Sequence, residues 1–293
     1  MKILYIGCVR SSFVFLDAIY NNTHAEIIGV VTKTKSNYNA DHCSLHHFCE
    51  ENQIDWLDYR DNEQLLEWVK VKEPDIIYCF GWSYLLPNEI YQLPMLGAVG
   101  YHPTLLPQNR GRHPIIWTIA LGLRETGSSF FYLTDVPDAG DILSQRRLVL
   151  DEFEDANTLY EKLLFIGKEQ VIDLTNSLID RTLIPISQDE SKATYWRKRG
   201  KHDGRIDWRM SSNAIRNLVN ALTRPYIGAH FEYEGKDIIV WKVEQLNAPY
   251  IQNIEPGKII EANSDSFIIR SGDKLIKVLD FEGEFVPKEG IYL

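Results

Sequence analysis

Cysteine is scarce in this chain, and positive charge is outweighed by negative. The 293 residues hold four cysteines, Cys8, Cys43, Cys49 and Cys79, too few for a disulfide framework. Two of them fall in strand-like apolar runs, so buried free thiols and a cytoplasmic location are expected. Lys and Arg number 31 against 41 Asp and Glu, a formal net charge of −10. From Arg205 to the C-terminus the count is 11 against 13, so no basic tail hides in the average. Phosphate backbones need clustered Lys and Arg. Nucleic acid is therefore not an expected partner, while small anionic ligands remain open.

No apolar run reaches the length of a membrane span, so no membrane partner is expected. Met1 leads straight into KILYIG, without the charged, apolar and cleavage segments of a signal peptide. The loop after that run lacks GxGxxG, which removes support for a dinucleotide cofactor. Metal-ligand spacing is missing too. His42, Cys43, His46, His47 and Cys49 share an expected helix from Asp41 to Asn52, but without paired CxxC spacing they read as packing or solvent-facing residues, and no metal is expected.

What is present is a globular pattern. Hydrophobic residues make up 44% and charged residues 25%, which sets disorder aside and leaves room for one large or two ordinary domains. Lys2–Gly7 reads as a strand, followed by a helix from Ser11 or Ser12 and a second strand over Glu26–Thr32. This opening predicts an α/β fold: a doubly wound, mainly parallel Rossmann-like sheet with right-handed crossovers. After a polar loop over 33–40, strands are expected at Ile54–Tyr59 and Pro74–Phe80 with a helix over Asn62–Lys72 between them. The run PDIIYCF is nearly all apolar and should lie centrally. Gly81 follows it, where a glycine lets backbone approach a ligand closely. A fifth strand, Gly97–Tyr101, ends at His102.

The later chain has a long helical pattern over Ala156–Leu178, a polar and basic linker, a helix over Ser211–Leu222, and short strands separated by turn residues. Such a strand series predicts a smaller C-terminal OB-like β-barrel domain. The expected division is a catalytic domain over 1–185, a linker over 186–204 and the C-terminal domain over 205–293.

The chemistry concentrates between Tyr101 and Leu143, in YHPTLLPQNRGRHPIIWTIALGLRETGSSFFYLTDVPDAGDIL. Pro103 biases His102 toward extended backbone at its strand end. Arg110 and Arg112 flank a glycine and suit a phosphate or carboxylate. Asp138, in an AGD turn, can accept an imidazole proton and fix its tautomer, the arrangement of a general base or acid.

HPTLLPQNRGRHP, ETGSSFFYLTDVPDAGDIL, DGRIDW and RPYIGAHFEY, in that order over most of the chain, resemble the folate-dependent formyltransferase family. That family includes methionyl-tRNA, glycinamide ribonucleotide and sugar N-formyltransferases. In length and C-terminal motifs the chain is similar to the formyltransferase domain that acts on UDP-4-amino-4-deoxy-L-arabinose. The resemblance implies transfer of a formyl group from 10-formyltetrahydrofolate to an amine, foremost that of a nucleotide-linked amino sugar in bacterial polysaccharide biosynthesis. Methionyl-tRNA as acceptor is the alternative, and a folate- or nucleotide-sugar-binding relative with impaired catalysis is another.

The resemblance assigns the base and acid to His102 and the supporting carboxylate to Asp138. Tyr84, Leu85 and Leu86, with Thr134, Asp135, Val136, Pro137 and Asp138, match the segments that hold the pterin. Arg110 and Arg112 stand near the substrate phosphate or the folate glutamate tail, Arg112 being favoured. The family's Asn two residues before the histidine is Gly100 here, so the amide that polarises the formyl oxygen is missing. Asn109 and His113 are the candidates to replace it. Homodimers are also implied, since sugar formyltransferases of this type are often dimers.

Overall fold

The computed structural model describes residues 1–36, 40–247 and 253–293. Residues 37–39 of the expected polar loop 33–40 lie outside the described residues. The chain runs β1 (Lys2–Ile6), α1 (Arg10–Asn22), β2 (Glu26–Thr32), α2 (His46–Glu51), β3 (Trp56–Asp58), α3 (Asn62–Lys72), β4 (Ile76–Cys79), α4 (Asn88–Tyr91) and β5 (Ala98–His102). Then come β6 (Arg110–Gly111), α5 (Pro114–Ala120), β7 (Glu125–Tyr132), β8 (Ile142–Val149), α6 (Ala156–Ile179), β9 (Tyr195–Trp196) and α7 (Ser212–Ala221). The last strands are β10 (Ala229–Tyr233), β11 (Lys236–Leu246), β12 (Ile259–Ala262), β13 (Phe267–Arg270) and β14 (Leu275–Glu282).

Seven strands form one sheet in the order β3-β2-β1-β4-β5-β7-β8. The β1–β2, β1–β4, β2–β3 and β4–β5 pairs are parallel, and β7 runs antiparallel to β5. Burial explains the order. The apolar β1 and β4 are covered on both faces, with Ile3, Leu4, Tyr5, Ile6, Ile76, Ile77 and Tyr78 all at 0% exposure, as central parallel strands must be. The outer strand β8 alternates half-buried and exposed residues after Leu143, the pattern of an edge. One face packs Phe15, Leu16, Ile19 and Phe48 with Phe80, Phe130, Val171 and Leu174; the other packs Leu65, Val69, Ile90 and Tyr91.

Two expectations change. Helix α1 begins at Arg10 because Ser12 Oγ accepts from the Val9 amide at 3.2 Å and donates to the Phe80 carbonyl at 2.6 Å. The expected helix from Asp41 shrinks to His46–Glu51. The Arg10 amide donates to Asp41 O at 3.1 Å and the Cys43 amide to Cys8 O at 2.9 Å, so residues 41–43 lie against the loop after β1 in place of a helical turn. In that stretch His42 Nε2 bonds to Lys33 O at 3.0 Å and His46 Nδ1 to Ser44 Oγ at 2.8 Å.

The chain divides into two compact units: residues Met1–Pro114, Thr126–Leu148 and Glu161–Trp196 in one, Ile115–Glu125, Val149–Tyr160 and Arg197–Leu293 in the other. The expected linker over 186–204 therefore splits at Trp196. The second unit holds a five-stranded antiparallel sheet, β10-β11-β14-β13-β12. Its first hairpin turns at Glu234 and Gly235, with φ of 50° and 76°, the left-handed pair a two-residue turn needs. Edge-to-face contacts among Trp208, Phe231, Phe267 and Phe285 fill its core. Among the described residues no helix is long and apolar enough to cross a membrane.

Candidate active site

His102 stands at the end of β5 and is 5% exposed. Its Nε2 lies 2.8 Å from the Asn109 carbonyl oxygen. A carbonyl only accepts, so Nε2 carries a proton. Nδ1 is left to face Asp138 Oδ2 at 3.9 Å, too far for a direct hydrogen bond and right for one bridging water or substrate atom. Nδ1, on the Asp138 side, is therefore the ring nitrogen that faces the gap.

Backbone fixes both neighbours of the imidazole. Asn109 is left-handed at φ 63°. Its amide donates to Thr194 Oγ1 at 2.8 Å, and the Thr194 hydroxyl lies 3.2 Å from Asn109 Oδ1. Asp138 is also left-handed, at φ 60°, and its Oδ2 accepts the Gly111 amide at 2.8 Å. Gly111 has φ 105°, and a Cβ there would lie 2.3 Å from the Trp196 carbonyl oxygen. Only glycine allows β6 to run this close to β9, and that pairing aims the Gly111 amide at the carboxylate.

Arg110 does not face a ligand space. It is 0% exposed, and all five of its N–H donors are used. Nη1 donates to Glu190 at 2.9 Å and to Tyr195 Oη at 2.8 Å; Nη2 donates to Glu190 at 2.6 Å and to Gln188 at 2.8 Å; Nε donates to Gln188 at 3.3 Å. Of the two arginines expected near an anion, Arg110 is committed to the fold. Arg112 is half-buried on the same loop, as is His113 at φ 57°. Gln188, Glu190 and Thr194 escaped the sequence reading because they lie in a polar stretch without hydrophobic period; the only trace they left was their hydrogen-bonding character.

Gly100 lies two residues before His102 and on the same strand face. A Cβ there would come within 2.7 Å of Leu133 Cδ2 and 2.9 Å of Phe131 Cζ. Those side chains belong to a small apolar cluster with Leu106 and Ile142, which occupies the place an amide side chain would take. Gly81, expected to open backbone to a ligand, instead packs on Val9: a Cβ would meet Val9 Cγ2 at 2.1 Å.

The turn from Thr134 to Asp138 connects two features. Thr134 and Asp135 line an open cleft of about 630 Å³ with Tyr91, Leu96, Ala98 and Leu133, and Asp138 reaches His102. The cleft begins at the start of β5 and His102 ends that strand, so the turn is their link. Tyr91 Oη donates to the Asp135 carboxylate, and Thr134 Oγ1 donates to Val136 O at 2.9 Å, which hold the turn in shape. Tyr84 and Leu85 are exposed and Leu86 half-buried. The Tyr84 ring packs against Tyr59 and Trp82, each at 5.4 Å, with Lys33 Nζ 4.9 Å from its centroid.

Residues 1–175 match the formyl transferase family, and residues 198–284 match its C-terminal domain. The chain belongs to the formyl transferase family. A methionyl-tRNA formyltransferase from Caldanaerobacter subterraneus subsp. tengcongensis is 33% identical over 79% of this chain and 74% of its own. Among solved structures, an N-formyltransferase from Helicobacter canadensis in complex with folinic acid and dTDP-3-aminofucose superposes with a TM-score of 0.73 at 17% identity, over 96% of this chain and 100% of that one. HypX from Aquifex aeolicus in complex with tetrahydrofolic acid superposes at 0.66 and 17% identity over all of this chain, which spans 46% of the HypX chain. This formyltransferase is thus an enzyme of one-carbon group transfer.

Proposed function

We propose that the protein transfers the formyl group of 10-formyltetrahydrofolate to the amine of a nucleotide-linked amino sugar. When bound, the folate supplies an activated formyl carbon on a nitrogen leaving group. The turn Thr134–Asp138 and the apolar walls beside it suit a flat heterocycle, with Tyr84, Leu85 and Leu86 as the facing segment. His102 Nδ1 takes a proton from the attacking amine, directly or through the water that the 3.9 Å gap to Asp138 admits, and returns one to the leaving nitrogen. Asp138, held by the Gly111 amide, turns its carboxylate toward that proton. Arg112 binds the substrate phosphate or the folate glutamate tail. The formyl oxygen must be polarised from the loop side, by Asn109 or His113, because Phe131 and Leu133 close the Gly100 side.

The observation that carries a small acceptor over tRNA is charge. In the C-terminal unit, Arg197, Lys201, Arg209, Arg224 and Lys236 are each paired with a carboxylate, on Asp203, Asp237, Asp207, Asp280 and Glu284. With 11 Lys and Arg against 13 Asp and Glu from Arg205 onward, such pairs offset part of the positive charge that a phosphate backbone needs. The second reading, methionyl-tRNA as acceptor, is favoured by the 33% identical relative.

Both readings are separated by following loss of 10-formyltetrahydrofolate with a panel of nucleotide-linked amino sugars and with methionyl-tRNA, products being identified by mass. Formylated sugar without formylated methionyl-tRNA is expected. The reverse result overturns the proposal, and folate binding without any transfer points to a catalytically impaired relative.

A further inference from the structure

We propose that Gln188 is a positioning residue for this reaction, holding the Asp138 turn in register with the loop that carries Asn109 and Gly111. The inference rests on His102 and Asp138 being the acid/base pair. Gln188 Nε2 donates to two peptide carbonyls of the turn, Asp138 O at 2.8 Å and Gly140 O at 2.6 Å. Its Oε1 accepts from Arg110 Nε at 3.3 Å and Nη2 at 2.8 Å. One primary amide thus fills both ends of its hydrogen-bonding capacity, with the turn on one end and the neighbour of Gly111 on the other.

The position needs such a clamp because Asp138 is a left-handed, non-glycine residue, a conformation that persists only where surroundings hold it. Its carboxylate is anchored by a single described backbone donor, the Gly111 amide. Gly140 is equally constrained, since a Cβ there would lie 1.9 Å from the Tyr132 carbonyl oxygen. Ile142, just beyond, exchanges backbone hydrogen bonds of 2.8 Å in both directions with Ile186. The segment carrying Gln188 is therefore docked beside the turn by backbone, and the side chain spans the remaining distance to Arg110.

Nothing in this arrangement touches the reacting atoms. Gln188 acts through Asp138, so its removal should weaken the chemical step and leave acceptor binding nearly unchanged, while folate, whose proposed seat includes the same turn, should bind less tightly. A displacement of about 1 Å at a reacting group can cost about a hundredfold in rate.

The test compares wild type with Gln188→Ala, Gln188→Glu, Asp138→Asn and the Gln188→Ala/Asp138→Asn double variant. Gln188→Glu keeps an oxygen for Arg110 and replaces the donor to the turn by a charged oxygen that the Asp138 and Gly140 carbonyls repel, so it serves if the alanine variant folds poorly. The first readout needs no acceptor: crystal structures of the two Gln188 variants. A His102 Nδ1 to Asp138 Oδ2 separation that departs from 3.9 Å, with loss of the Gly111 contact, is expected; an unchanged pair overturns the proposal. The second is single-turnover kinetics with 10-formyltetrahydrofolate and the acceptor identified from the panel. The single-turnover rate at saturating folate and acceptor should fall about 10- to 100-fold, with the acceptor concentration for half-maximal rate nearly constant, and the double variant should be no slower than Asp138→Asn, since residues acting as a unit are not additive. Full additivity, or a loss of stability with that rate retained, overturns it. Wild-type turnover in Asp138→Asn would instead remove the acid/base assignment, a different failure.

Discussion

Two pairs of ionisable side chains start within eight residues of each other, at His102 and Arg110, and are built in opposite ways. Arg110 and Glu190 form a forked ion pair in which every guanidinium donor is satisfied. His102 and Asp138 face each other at 3.9 Å without touching, each bonded instead to backbone. A pair whose hydrogen bonds are complete has no capacity left for a ligand, so it holds structure. A pair with an imidazole nitrogen and a carboxylate aimed across a gap has capacity left for a transferring proton. Residue type alone offers both as site residues, since an arginine in an RGR loop suggests an anion site. Hydrogen-bond accounting separates them.

The largest effects should fall on the open pair. His102→Ala and Asp138→Asn are each expected to lower kcat by about 10²- to 10⁴-fold, the usual contribution of a positioned acid or base, with circular dichroism and thermal midpoint little changed. The closed pair should break differently. Arg110→Ala leaves the acceptors of Glu190, Gln188 and Tyr195 without their shared donor and removes a buried side chain. Because Glu190 is 64% exposed and can be rehydrated, the cost should be about 1–3 kcal/mol in denaturant unfolding. If instead Arg110→Ala were as stable as wild type but selectively lost substrate affinity, the assignment of the two pairs would be reversed.

Gly100 sharpens the contrast on the apolar side of the imidazole. Gly100→Asn would restore the residue the family places there, but its Cβ meets Phe131 and Leu133 at under 3 Å. Forcing side-chain volume into a filled core costs about 1–3 kcal/mol. Destabilisation with reduced turnover is expected, and a rate gain would show that the apolar cluster yields easily to an amide.

The fold was legible where burial dictates sequence. KILYIG, EIIGVVT and PDIIYCF announce central parallel strands because both faces of each must be apolar, and the turn residues Glu234 and Gly235 announce the hairpin. Strand β8 was not read, since an edge strand such as LSQRR alternates polar with polar and has no apolar face to count. The acid/base proposal for His102 and Asp138 came from a motif, and the fold brings those two side chains to within 3.9 Å. The clamp carries no motif. Gln188, Glu190 and Thr194 act through hydrogen bonds between segments 48 or more positions apart, and no local pattern encodes which glutamine meets which arginine.

The smallest effect is a pH dependence that isolates the closed pair. The Arg110 guanidinium, through its hydrogen bonds to Glu190, holds the Glu190 carboxyl below its ordinary value of 4.5. A carboxyl depressed in the folded state stabilises the fold fully above its unfolded pKa, and that stability is lost as pH falls through the folded pKa. The stability difference between wild type and Glu190→Gln should therefore be constant from neutral pH down to about 5 and shrink on further acidification, vanishing once Glu190 is protonated. Asp203 and Asp207 are also depressed, by Arg197 and Arg209, but they titrate alike in both proteins and cancel in the difference. Urea unfolding at a series of pH values measures it. A difference that stays constant through the acid range would mean that the clasp owes its stability to the shape of the side chain at position 190 and not to its charge, and the contrast with the open pair would then rest on geometry alone.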